Sequence, residues 1–286
     1  MAPMKIKKAA LGLGALSLVV GSVCSGQAAF ADQAGSNLND NPTMRGTAEA
    51  LVSSAEAGCA TPDNSVGYIE HYDDRGFTAG ISGWTTKYGD MNDVIDAYNK
   101  IKPDNQLKQF QGAIADKAEH EDGGTDGLEG LPDAWHAEAQ DGRFLDAQHQ
   151  ARDMKFNPAE SHALDDGLGA VGQFIYYDTY VVHGATKDDD TDGLKEIRDA
   201  AKGAAKDPKD GGDEKAYLTA FLEARKNSEK GQDEQSPSRI KAWQKLVDEN
   251  ADLNVSKDHP LDWRLNQTDF HWDGEHGTPD KCDFGG

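Results

Sequence analysis

Residues Leu51–Gly80 read LVSSAEAGCATPDNSVGYIEHYDDRGFTAG, and the rest of the chain is organised around them. The stretch opens on the end of a helix. Met44, Ala48, Leu51, Val52 and Ala55 recur at the three-and-four spacing of one buried face. Gly58 is the stop, so Glu56 falls at a helix C-terminus, where the macrodipole disfavours negative charge. Further on, Asp73-Asp74-Arg75-Gly76 punctuates a run of Tyr, Ile, Phe and Thr, which predicts short strands joined by a turn. One carboxyl at a helix end and another in a polar turn form an asymmetric pair. Glycosidic hydrolysis needs such a pair, a proton donor for the leaving oxygen and an ionised partner.

The chain has 286 residues, enough for one large domain or two lobes sharing a core. It begins as a secretory signal: Lys5, Lys7 and Lys8 form a basic start, Ala9 to Val23 an apolar segment, and Ala29-Phe30-Ala31 a small-x-small cleavage site. Removing the first 31 of 286 residues leaves 255, expected to be exported to an extracellular, soluble life as a single domain over 32–286. No later apolar run approaches the roughly 20 residues that span a bilayer, so no membrane role is expected. Loss of the three lysines takes the net charge from −22 to −25. Such a field repels nucleic acid and attracts polycations. Cys59 and Cys282 remain after cleavage, and in an oxidising compartment such a pair is expected to form a disulfide.

Along the chain, Asp32–Asn41 reads as a polar, flexible lead-in. Asp90 is read as the cap of a helix with Met91, Val94, Ile95 and Tyr98 on its buried face, ended by Pro103. Leu107, Phe110 and Ile114 mark a further helix that fades into the acidic loop DKAEHEDGGTDGLEG. Pro132-Asp133 restarts helix with Trp135, Phe144, Ala147, Ala151 and Met154 as its core side. Pro158 is read as the start of the longest helix, where Leu164, Leu168, Val171, Ile175, Asp178 and Val182 step by four and three. Asp178 thus falls on an apolar stripe. Leu218, Leu222 and Arg225 share another, and Arg239, Trp243 and Leu246 a third, with Ser236-Pro237 capping that helix. A lone charge in a core is very costly, so Asp178, Arg225 and Arg239 are expected to meet. Asn254–Gly286 has little periodicity and is expected to wrap the surface before reaching Cys282.

Other chemistry finds weaker support. Asp188, Asp190, Asp192 and Gly193 match the first half of a calcium loop, but its twelfth position is Asp199 where a bidentate Glu is usual. His271 and His276 lack H-E-x-x-H spacing, no G-x-S-x-G elbow occurs, and no phosphate loop or basic aromatic patch appears. No cofactor is expected.

The ordered blocks SSAE, YIE, DRGFTAGI-G, GDM, FNPA, DGLGAVGQFIYYDTYVVHG, GGDEKAYLTAFLEARK and SPSRIKAW, from about Leu51 to Asn254, resemble the secreted chitosanases of glycoside hydrolase family 46. The resemblance implies a mainly α (α+β), lysozyme-like two-lobed fold, with a small β-sheet in one lobe and a long connecting helix. It implies endo-hydrolysis of β-1,4 bonds between glucosamine units of chitosan, with inversion, by a chain expected to act as a monomer. By motif, Glu56 would be the general acid, Asp73 the base and Thr78 a holder of the attacking water. Tyr68, Arg75 and Asp90 would contact sugar, while Asp178, Arg225 and Arg239 would back the acid. Asp74 stands where the family has glycine, and the Glu56–Asp73 segment differs in length, so Asp74 is the alternative base. Acidic subsite residues would fall within Glu229–Glu234. The rival readings are a hydrolase of chitin or peptidoglycan and a non-catalytic polycation binder.

Overall fold

The computed structural model describes residues 36–72, 74–185, 193–228 and 236–283. The first 31 residues, Asp73, the candidate calcium residues Asp188, Asp190 and Asp192, and Glu229–Glu234 lie outside them.

Helix α1, Pro42–Ala57, starts where the Asn41 side chain accepts from the Thr43 and Met44 amides and Pro42 pre-sets the first turn. It stops at Gly58, whose φ of 62° is the left-handed cap that a glycine adopts without strain. Beyond it lies an antiparallel sheet of β1 (Ile69–Tyr72), β2 (Gly76–Ala79) and β3 (Trp84–Thr85). Helices α2 (Met91–Ile101), α3 (Gln111–Glu119) and α4 (Leu131–Glu138) complete this lobe, with Trp84, Tyr98, Trp135 and Phe144 in its core.

Helix α5, Gly142–Asp165, is the connector. Its 24 residues span about 36 Å at 1.5 Å each. Phe144, Ala147 and Ala151 belong to the first core, whereas Phe156, Ala159 and Ala163 belong to the second. The second lobe gathers α1, the far half of α5, α6 (Ala170–His183), α7 (Leu194–Ala204), α8 (Glu214–Asn227) and α9 (Ser236–Glu249). A further antiparallel sheet follows: β4 (Leu261–Leu265), β5 (Thr268–Trp272) and β6 (Gly277–Thr278).

Several expectations are corrected. A second small sheet lies in the other lobe, because the C-terminal tail, expected to wrap the surface, forms a hairpin. Its two-residue turn, Asn266-Gln267, has both φ values positive (48° and 70°), as the tight hairpin turn requires. Trp263 and Trp272 sit two register positions apart on the core side of that hairpin, and sparse turn chemistry hid the alternation. The helix assigned to Pro158 onward is two helices. Pro158 lies inside α5, and the carbonyl four residues back belongs to Met154, a residue 57% exposed where water can serve as donor. The break at Gly167 (φ 74°) shifts the helical phase, so Leu164 and Met154 face outward while Leu168, Val171, Ile175 and Asp178 are buried. A second break separates α4 from α5 at Asp141, whose side chain accepts from the Arg143 amide. Leu107 and Phe110 sit in a 3-10 turn ahead of α3, and that helix runs on to Glu119, into the stretch read as loop. The lead-in is anchored where described: Leu38 is fully buried and its amide donates to Gln173 Oε1 at 3.0 Å.

Candidate active site

Helix α1 is held from three sides, which fixes the direction of its last turn. Trp263 Nε1 donates to Ser54 Oγ (2.9 Å), and Trp272 Nε1 donates to Thr47 Oγ1 (3.2 Å). On the opposite side Arg45 lies 4.0 Å over the Phe156 ring of α5, and Arg152 of α5 pairs with Glu49 at 2.7 Å. Cys59 and Cys282 are joined as a disulfide just past the helix end, Cα to Cα 4.8 Å, and the sequence expectation placed them so. The tail is further tied there by Asp283 N–H donating to Ala57 O and Ala60 N–H donating to Pro279 O, both at 2.8 Å.

Glu56 emerges from this braced end into a cleft between the lobes. The cleft is lined by Ser53 and Glu56 of α1, Ser82 just before β3 and Trp84 of β3, Lys155 of α5 and Tyr177 of α6. Glu56 keeps about a third of its side chain exposed. Arg239 Nη1 donates to Glu56 Oε1 at 2.6 Å. The carboxyl at the helix end thus has a cationic partner. Oε1 is thereby anchored, on a residue that lines the cleft.

Arg239 is in turn clamped. Its Nη2 and Nε donate to Asp178 Oδ1 at 2.5 and 3.0 Å, while Arg225 Nη1 donates to Asp178 Oδ2 at 2.6 Å. Asp178 is fully buried and Arg225 is 2% exposed, so the structure brings the three stripe residues together. Burial alone would raise the Asp178 carboxyl, but Arg239 and then Arg225 outweigh it and hold it below its ordinary value. Burial pulls Arg225 down from its ordinary value against the pull of Asp178. Trp243 Nε1 also donates to Asp178 Oδ2 (2.8 Å), and Thr179 Oγ1 accepts from Arg225 (3.1 Å). Neither was assigned a site role from sequence. Trp243 shares a stripe with Arg239, one helical turn on, and that spacing was the available signal.

Across the cleft, β1 and β2 pair Glu70 with Thr78 and Tyr72 with Gly76, which leaves Asp74 and Arg75 in a turn at the sheet's end. Gly76 has φ 71°, and a Cβ there would collide with Thr86 Oγ1, which accepts from the Phe77 amide (3.0 Å). Only glycine fits this position. Asp74 is exposed, 3.7 Å from Arg75 Nε. The Arg75 guanidinium stacks 4.8 Å from the Tyr72 ring centre. Tyr72 was missed by sequence reasoning, yet its hydroxyl meets that of Tyr68 at 2.5 Å and donates to Glu70 (3.1 Å). Tyr68 itself packs on the Cys59–Cys282 bridge. Thr78 is 1% exposed, and its hydroxyl has no protein partner among the described residues.

Asp90 precedes α2 but does not cap it. Its Oδ1 instead accepts from Thr85 N–H (2.7 Å) and Thr85 Oγ1 (3.1 Å), tying the helix start back to β3. Its Oδ2 stands 3.5 Å from Lys155 Nζ.

The model of glycosyl hydrolase family 46 matches residues 50–261, which include Glu56, Thr78, Asp90, Asp178, Arg225 and Arg239. The chain belongs to this family. A chitosanase of Streptomyces sp. (strain N174) is 37% identical over 248 residues, covering 84% of this chain and 85% of that one. A chitosanase of Nocardioides sp. (strain N106) is 39% identical over 235 residues, covering 79% and 80%. Among solved structures, the native chitosanase of Bacillus subtilis MY002 superposes with a TM-score of 0.68 at 32% identity, covering 81% of this chain and 98% of that one. A mutant of that enzyme complexed with 6 GlcN gives 0.69 at 31% identity, covering 81% and 99%. The family 46 fold is thus mainly helical here with small antiparallel sheets, and the chain is a glycoside hydrolase by family. Among the described residues no cluster of three or more His, Cys, Asp or Glu could hold a metal ion, and no helix is long and apolar enough to cross a membrane.

Proposed function

We propose that this family 46 chain is a secreted endo-chitosanase that cleaves β-1,4 bonds between glucosamine units with inversion at the anomeric carbon. The observation that carries the reading is Glu56, presented at the cleft with Oε1 fixed by Arg239. A proton carried on Oε2 passes to the glycosidic oxygen as the bond to the anomeric carbon breaks. Water enters from the opposite face and gives its proton to Asp73, so the pair ends with one proton moved from Glu56 to Asp73. The buried Thr78 hydroxyl, without a protein partner among the described residues, is available to hold that water. Tyr68, Arg75 and Asp90 are the sugar-contact candidates. Arg225, Asp178 and Arg239 act as positioning residues that aim the acid. Relatives of the same family are chitosanases, and one is complexed with 6 GlcN.

The 29 basic against 51 acidic residues of the chain suit a polymer of ammonium-bearing sugars, and a carboxylate gains a charge-assisted bond to an ammonium that an acetamide cannot offer. Initial rates on chitosans differing only in acetylation, with chitin and bacterial cell wall as controls, test the substrate. Equal or faster cleavage of chitin or cell wall overturns it in favour of the wider aminosugar hydrolases, and absence of new reducing ends favours a binder. Proton NMR of the first-formed product should show the α anomer, and a β anomer rules out inversion. Export and cleavage are tested by the N-terminus of protein from culture supernatant, which should be Asp32.

A further inference from the structure

A cationic side chain stands inside a cleft that is read above as taking a cationic polymer. Lys155 projects from α5 into the same cleft as Glu56, about a third exposed, and its ion pair is with Asp90 Oδ2 at 3.5 Å. The other cation of that wall, Arg152, is committed elsewhere: it is 6% exposed and 2.7 Å from Glu49. Asp90 has only one oxygen to offer a ligand. Oδ1 is filled by the Thr85 amide and hydroxyl, at 2.7 and 3.1 Å, and Oδ2 is the oxygen that Lys155 faces. A sugar ammonium that reaches Asp90 must share Oδ2 with Lys155 or push the lysine aside, against like-charge repulsion.

We infer that Lys155 is a specificity-determining residue: it pre-neutralises Asp90 and so blunts the demand for a free amine on the sugar bound beside it. An N-acetylated unit at that place leaves the carboxylate still paired, so it loses little. A glucosamine unit gains less than it would from an unpaired carboxylate. The pair reaches solvent, so its effect is modest and is screened by salt. This inference rests on the chitosanase reading, and the experiment separates the two.

The test is Lys155→Met, with Lys155→Gln as a second neutral variant and Lys155→Arg as the charge-retaining one. The readout is kcat/KM on fully deacetylated chitosan divided by kcat/KM on a partly acetylated chitosan of equal length. Both neutral variants should raise that ratio roughly two- to fivefold, the size expected of an exposed ion pair. The gain should come through a lower KM on the deacetylated polymer with kcat nearly unchanged, and it should shrink with added salt. Lys155→Arg should keep the wild-type ratio. An unchanged or lowered ratio in the neutral variants, or an equal rise in the arginine variant, overturns the inference while leaving the chitosanase reading standing. Wild-type protein that releases no reducing ends from either polymer overturns the chitosanase reading instead.

Discussion

Replacing Asp178 by alanine removes the one carboxylate to which Arg225, Arg239 and Trp243 all donate. Arg239 keeps Glu56 as a partner and is 12% exposed in its side chain, so water can reach part of its loss. Arg225 is only 2% exposed, and among the described residues the side-chain bond left to it is to the neutral Thr179 hydroxyl. Stranding a buried charge of this kind costs about 3–5 kcal/mol. For a chain of this length a loss of 1 kcal/mol lowers Tm by about 2 °C, so the melt should fall by about 6–10 °C. Calorimetry at neutral pH reads the shift. Turnover should fall further than stability explains, because Arg239 no longer has a fixed seat from which to aim Glu56. Pairing Asp178→Leu with Arg225→Met removes both charges and should recover part of the lost stability without recovering turnover. The sign of the pH dependence follows from the lowered Asp178 carboxyl. Its contribution is present above the ordinary unfolded value and is lost as pH falls through the lower folded one, so the acid limb of the wild-type melt should flatten in the variant. A melt unchanged within error would refute the reasoning, since it would mean that the cluster is not holding the lobe together.

Glu56→Gln should leave the melt intact and cut turnover by about 10²–10⁴-fold, because an amide cannot donate the proton; retention of more than a tenth of wild-type rate, roughly, would remove Glu56 from the mechanism. Asp73→Asn should be far more damaging to turnover than Asp74→Asn, since a base must aim at one water; the reverse order in a steady-state assay would move the role to Asp74. Glu214, 7% exposed at the start of α8, is pushed up to about 7 by burial, against the Gly169 amide that donates to it and with a smaller push from Asp213. Its stabilising share is full below the ordinary value of 4.5 and is lost as pH rises through about 7. Wild-type stability should therefore decline from pH 5 to 8 by up to about 3 kcal/mol on this account, and Glu214→Gln should flatten that decline in denaturant titrations.

Local chemistry determined much of the molecule from sequence alone. Gly58 ends α1 because it accepts a left-handed φ, and that alone puts Glu56 at a helix end. Helical spacing likewise put Asp178, Arg225 and Arg239 on buried stripes, since a charge at a core position must find partners. Tertiary structure decided what periodicity could not carry. The four-three rhythm of 164–182 runs straight through Gly167, so only the folded chain shows two helices and an outward Leu164. The C-terminal hairpin depends on Trp263 and Trp272 finding Ser54 and Thr47 some 200 residues back, contacts with no local sequence signal. Asp90 reads as a cap because of its place before a helix, yet Thr85 claims its Oδ1 through the sheet. Asp90, with which Lys155 pairs, lies 65 residues away, and the two meet only because α5 crosses from one lobe to the other.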